Sequence, residues 1–234
     1  MTVVGDSDRE PPPPASALYT LMTWLSPAYP VGAFAYSHGL ESAVDAGDLT
    51  DAGSALDWIG FLVEHGSGWN DAVFLAAAHR STATGAPLDD IAELAAAYAP
   101  SAERSLETLA QGTAFARICR DAWATDHPAL TAQSGEVAYP VAVGAIAAAH
   151  GVPLAATLEA YLHGFAANLV SAAVRLIPLG QTDGQRIVAR LAPVVARVAA
   201  RAAAASLDDL GGSTVRADMA SMRHETLYSR LVRS

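Results

Sequence analysis

The chain has 234 residues, 52% apolar and 16% charged, with a formal net charge of −10. That is enough apolar chain to bury a large core, and too apolar for a disordered one. An acidic balance with no basic face excludes the usual nucleic-acid binder and disfavours an anionic membrane surface. Residues 1–15 are polar and acidic, then polyproline at Pro11–Pro14. They lack the basic-then-apolar order of a secretory leader and read as a disordered, Pro-rich lead-in. No apolar run approaches the ~20 residues of a spanning helix, so a cytoplasmic protein without a membrane partner is expected.

Helical spacing begins at once. Leu18, Leu21, Met22 and Leu25 share one face, and Asp51 can cap a helix carrying Leu56, Ile59, Leu62 and Val63. Gly66–Gly68 breaks it, and Asn70 or Asp71 starts the next, through Val73, Phe74 and Ala77. Pro87 opens a helix with Leu88, Ile91, Leu94, Ala95 and Tyr98 on one side. Ser101 starts a longer one to about Trp123, and Asp126–Glu136 reads as a polar loop. Tyr139–His150 is a short, very apolar helix ended by Gly151 and Pro153. From Leu154 to Leu176 the period holds for about six turns, which makes this the expected central helix. Pro178 and Gly180 end it, and Pro178–Gln185 reads as a turn-rich contact loop. One more amphipathic helix carries Ile187, Leu191, Val195 and Val198. No alternating strand pattern is present. The prediction is all-α: a single-domain bundle of roughly ten helices around a long central helix, over 16–206, with a flexible C-terminal tail.

Asp208, Asp209, Gly211 and Gly212 mark a linker, and 207–234 reads as linker plus tail. The tail carries Arg216, Arg223, Arg230 and Arg233 on an acidic protein, with too few apolar residues to fold alone. One reading packs it back on its own body. The favoured one is a segment that orders on a partner, with Tyr228 and Leu231 as anchors.

The unusual stretch is Trp24–Glu41, W-L-S-P-A-Y-P-V-G-A-F-A-Y-S-H-G-L-E. Two prolines and a glycine stop helix formation, yet Tyr29, Val31, Phe34 and Tyr36 need cover. The bland reading is a buried helix-loop-helix corner. The sharper one is a nucleophile elbow at Ala35-Tyr36-Ser37-His38-Gly39, but an elbow needs a strand before the serine and this run is a poor strand. Other chemistry is thin. All 14 basic residues are arginine, so a P-loop lysine and a Schiff base are excluded. Cys119 stands alone, so no internal disulfide can form, and it reads as a buried inert thiol. Seven histidines show no metal-ligand spacing. No cofactor or metal site is predicted, although imidazole suits nickel and His38 could touch it transiently. Arg175, near a helix end, either steadies that terminus or is offered to a GTPase as an arginine finger.

Ser26–Glu41 resembles the opening signature of the urease accessory protein F (UreF) family. Ser171–Gln185, S-A-A-V-R-L-I-P-L-G-Q-T-D-G-Q, is similar to the family's Arg-Leu-x-Pro-Leu-Gly-Gln block. Glu103–Gly112 resembles its polar mid-chain helix. The tail, D-M-A-S-M-R-H-E-T-L-Y-S-R-L-V-R-S, is similar to its C-terminal signature, with Val232 where phenylalanine is usual. The resemblance implies a non-enzymatic assembly factor for nickel insertion into apo-urease. It would be a homodimer bridging a UreD/UreH-type accessory protein and the UreG GTPase. Candidate partner-binding residues are Tyr36, Ser37, His38, Glu41, Arg175, Gln181, Gln185, Met222, His224, Glu225, Tyr228, Arg230, Leu231 and Arg233. The alternatives are a serine hydrolase using Ser37 and a GTPase-activating subunit using Arg175.

Overall fold

Ser16 opens the first helix, its hydroxyl accepting the Tyr19 N–H. The computed structural model describes residues 16–123, 125, 135–228 and 230–232. The lead-in 1–15, most of the Asp126–Glu136 loop and Arg233 lie outside them. Among the described residues there are ten α-helices and no strand. Helix α1 (Ala17–Trp24) is followed by the proline-rich passage, which ends in a 3-10 turn at Ala33–Ala35. Gly32 precedes that turn at φ 80, with open space where a Cβ would sit. Gly32→Val is therefore expected to cost only backbone strain, roughly 1–2 kcal/mol, read as a lower urea midpoint at unchanged slope.

Next come α2 (Leu40–Asp45) and α3 (Ala52–His65). Asp51 caps α3 in a reciprocal capping box with Ser54. Helix α4 (Ser67–Thr84) begins directly after Gly66, earlier than the Asn70 or Asp71 expected. The reason is packing. Gly68 lets the new helix press on the Val63 backbone, where a Cβ would come within 2.7 Å. The glycines therefore bend the chain without opening a loop. Helices α5 (Asp89–Ala97) and α6 (Ala102–Trp123) follow.

Two helices share the centre. Helix α7 (Tyr139–Ala149) is buried from Pro140 to Ala147. Such an all-round apolar helix has no solvent face to spare. Helix α8 (Leu154–Leu176) packs against α1, α2, α3, α4 and α7, and against α9 (Gln181–Ala204). Helix α9 is one residue longer than α8, 24 against 23, and it starts at Gln181. So Gln181 and Gln185 stand on helical turns, not on the loop expected from Pro178 and Gly180. The floor of the core is aromatic: Trp24, fully buried, sits edge-on to Phe115, Trp123 and His150.

After α9 the chain makes a 3-10 turn at Leu207–Asp209 and then α10 (Val215–His224). The Gly-rich stretch between them is pinned to the body. Asp209 O accepts from the Trp69 indole, the Gly211 N–H donates to Asn70, and the Ser213 N–H donates to the His65 carbonyl.

Candidate functional site: a polar clasp that closes the chain on itself

The turn from Tyr36 to Glu41 is a seat for the C-terminal helix. His38 (φ 53) and Gly39 (φ 78) are two consecutive left-handed residues. A non-glycine residue held there is strained, and persists only when its surroundings fix it. Gly39 meets a second demand. A Cβ on it would stand 2.6 Å from Ser221 N and 2.9 Å from Ala220 C. Only glycine lets the α10 backbone come that close. This explains the glycine after the serine and histidine, with no catalytic elbow required.

Helix α6 supplies the walls. Arg104, Glu107 and Gln111 fall at i, i+3 and i+7, all facing inward. Glu107 accepts from the Gln111 amide at 2.8 Å and pairs with the Arg104 guanidinium. His38 Nε2 lies 2.6 Å from Arg104 Nη1 and 3.1 Å from Glu107 Oε1. Burial first, then the Arg104 charge, keep the His38 ring below its usual range and neutral. Burial would also push the Glu107 carboxyl up. The charge of Arg104 and the contacts with His38 overrule it, and Glu107 falls to about 2. Across the way, Asp71 accepts from Tyr161 OH at 2.9 Å. Burial raises Asp71 to about 6, against the opposing pull of Arg104 and of that hydroxyl. A cavity of about 260 Å³ and another of about 170 Å³ are both lined by Asp71 and Arg104. The first also reaches Tyr29, Phe34, His38 and Phe165.

One turn back on α6, Ser101 and Glu103 hold the tail. The Ser101 hydroxyl accepts the Arg104 N–H and pairs with Ser221 Oγ at 2.7 Å. Glu225, from the tail, accepts the Ala102 N–H. An acid there also suits the positive end of α6. His224 is fully buried between two carboxyls, Nδ1 at 2.8 Å from Glu103 Oε2 and Nε2 at 3.0 Å from Glu41 Oε2. Arg230 donates to the other oxygen of Glu103, and the Leu231 and Val232 N–H groups donate to Glu41. His38 and Glu41, one turn apart in sequence, thus serve different networks.

Arg175 closes the fourth side. Its guanidinium stacks 3.8 Å over the Phe34 ring and donates to Phe34 O, while its Nε donates to Ser171 O. Two of its donors and its face are thus engaged inside its own chain. Tyr36, Arg175, Arg230 and Leu231 line one surface groove with Phe34, Glu103, Leu106 and Val232. Glu41, His224 and Glu225 belong to the adjoining clasp. Gln181 and Gln185 are exposed on α9 and join neither. Met222 and Tyr228 are exposed. Ser37 is 0% exposed, preceded by a 3-10 turn, and its neighbour His38 is engaged by Arg104 and Glu107, a poor setting for a hydrolytic nucleophile. Cys119 is buried 3.3 Å from Tyr29 OH, and burial lifts its thiol to about 12, so it is inert. Sequence reasoning missed Ser101, Glu103, Arg104, Glu107, Gln111, Asp71 and Ser221. The signal available was the resemblance of Glu103–Gly112 to the family's polar mid-chain helix, which does not say which of its residues are buried.

Among the described residues no group of three His, Cys, Asp or Glu side chains is placed to hold a metal ion. None of their helices is long and apolar enough to cross a membrane. Fold and site together define an all-helical protein whose opening loop, mid-chain helix and tail are locked by buried polar contacts. The chain belongs to the UreF family. The UreF family model matches residues 49–192. A urease accessory protein UreF of Rhodopseudomonas palustris (strain HaA2) is 60% identical over 223 residues, spanning 94% of each chain. Another of that name, from strain TIE-1, is 55% identical across the whole of both chains. One from Bradyrhizobium diazoefficiens is 56% identical over 224 residues, covering 94% of this chain and 93% of the relative. A role accessory to urease follows.

Proposed function

We propose that this chain is a non-catalytic scaffold for nickel insertion into apo-urease. It acts in the cytoplasm as a homodimer, holding a UreD/UreH-type accessory protein and the UreG GTPase against the apoenzyme. The name shared by its relatives supports the pathway. The observation that carries the scaffold reading is an uncovered apolar stripe on α10. Val215, Met219 and Met222, at i, i+4 and i+7, are 64%, 45% and 51% exposed, and beyond the helix end Tyr228 and Leu231 are 106% and 81% exposed. A helix face this apolar, displayed on a clasped helix, suits burial against another protein.

Co-expression with each accessory subunit, followed by pull-down and measurement of nickel in urease, tests the role. Tyr228→Ala and Leu231→Ala are each expected to weaken capture of the UreD/UreH-type protein by roughly 1–3 kcal/mol, with helical circular dichroism unchanged. Undiminished capture by the double variant would remove the tail from that interface. Full nickel loading of urease without this chain would remove the role.

A further inference from the structure

Asp71 is a half-buried carboxyl with no counterion of its own. Among the described residues its one hydrogen bond comes from Tyr161 OH, at 2.9 Å, and no ion pair reaches it. Arg104 does not fill that place. Its Nη1 is taken by Glu107 and His38, and Glu107 already balances its charge. The charge of an ionised Asp71 is therefore uncompensated, which is costly in an enclosed site. The larger cavity that Asp71 lines, about 260 Å³, has aromatic walls: Tyr29, Phe34, Tyr139, Tyr161 and Phe165. The Tyr139 and Tyr161 rings lie 5.5 Å apart, centre to centre. Pro27, Phe34 and His163 in the lining are exposed, so the cavity has a mouth at the surface. His38 and Glu107 are buried, so it reaches the core. Aromatic faces attract cations, and Phe34 already stacks with one, the Arg175 guanidinium.

We propose that this cavity binds a short alkylammonium group, with its N–H donors on Asp71 and its stem against the aromatic rings. A compact charge on a flexible apolar stem matches walls that are aromatic and a floor that is acidic. The chain has no lysine, so the group comes from another molecule, as a free amine or as a lysine side chain of a partner protein. The titratable and charged groups facing Asp71 are Arg104 and Glu107 from α6, Tyr161 from α8 and Tyr139 from α7. Asp218 from α10 shares the second cavity with it, and His38 lines the first. Glu107, at about 2, stays ionised near neutrality and His38 stays neutral, so Asp71 sets the response there. Binding of a small amine needs no other protein of the urease system, so its outcome is separate from the maturation role.

n-Butylammonium titrated into the full chain at about pH 8, followed by NMR, is expected to bind with a Kd on the order of millimolar, about tenfold or more tighter than its neutral isostere n-butanol. Asp71→Asn keeps the shape and an acceptor for Tyr161, and should abolish that difference. Acidifying the unaltered chain from about pH 8 to about pH 5 should weaken the amine roughly tenfold, as Asp71, at about 6, takes up a proton, and leave butanol unchanged. This second measurement needs no variant to fold. Nα-acetyl-lysine methylamide separates the two sources. Affinity equal to that of butylammonium supports a partner's lysine, and a loss of about tenfold supports a free amine. No amine binding at about 50 mM, equal binding of amine and butanol, tighter binding of butyrate, or an amine affinity unmoved by both Asp71→Asn and acid overturns the proposal.

Discussion

Gly144→Ala is expected to destabilise the fold by about 3 kcal/mol or more, and Gly60→Ala to stabilise it by about 0.5–1 kcal/mol. Both glycines lie inside helices, where alanine is intrinsically better. Contacts decide the sign. At Gly144, on α7, an added Cβ would collide with the carbonyl oxygen of Leu75 on α4. Backbone cannot swing aside as a side chain can, so the two most closely packed helices must separate, and neighbours such as Val143 and Ile146, fully buried, lose contacts. At Gly60, on α3, the nearest atom is the Leu191 Cδ2 at 3.5 Å, an ordinary contact. Urea unfolding followed by circular dichroism compares them. Equal effects at the two positions would mean that the α4–α7 approach does not limit stability.

The contrast between these glycines also shows what could be learned from the sequence. The helices were readable because their ends are chemically marked: Asp51 as a cap, Pro153 before α8, and Pro178 after it all act within a turn or two. The all-α class, with no strand among the described residues, follows from the same local spacing. Where a boundary was misplaced, tertiary packing had overruled a breaker. Gly66 and Gly68 look like a loop in sequence, yet they allow α4 to start against Val63. The site was half readable. The opening signature and the tail signature both stood out, but nothing local says that they touch. The contact of Glu41 with Leu231 joins residues 190 apart in sequence. Nor does spacing reveal which side of α6 is buried. Arg104 and Glu107 lie in the Glu103–Gly112 stretch that reads only as a polar helix, and they are a core feature because His38, Asp71 and Tyr161 close over them.

That enclosure makes Arg104→Met the most damaging single exchange of a charged residue, expected to cost roughly 3–5 kcal/mol at neutral pH. Methionine matches much of the lost volume, so the deficit is electrostatic rather than a cavity. The guanidinium pairs with Glu107 and opposes the upward push of burial on Asp71. Without it both carboxylates are buried with hydroxyl, amide and imidazole contacts only. The pH dependence separates this account from simple loss of packing. In the unaltered chain Glu107 lies at about 2, below its usual 4.5, so its contribution is fully present above about pH 4.5 and is lost as pH falls toward 2. Asp71, raised to about 6, runs the other way. Its contribution is fully present below about pH 4 and is lost as pH rises through 6. In Arg104→Met both carboxyls are pushed upward, so the variant gains stability as it is acidified. His38, relieved of the adjacent positive charge, becomes easier to protonate and can then pair with Glu107. The difference in unfolding free energy between the two chains should therefore shrink from about pH 8 to about pH 5. Urea titrations at those two conditions measure it directly. A deficit that is constant, or that grows in acid, would mean that Arg104 matters for its shape and not for its charge.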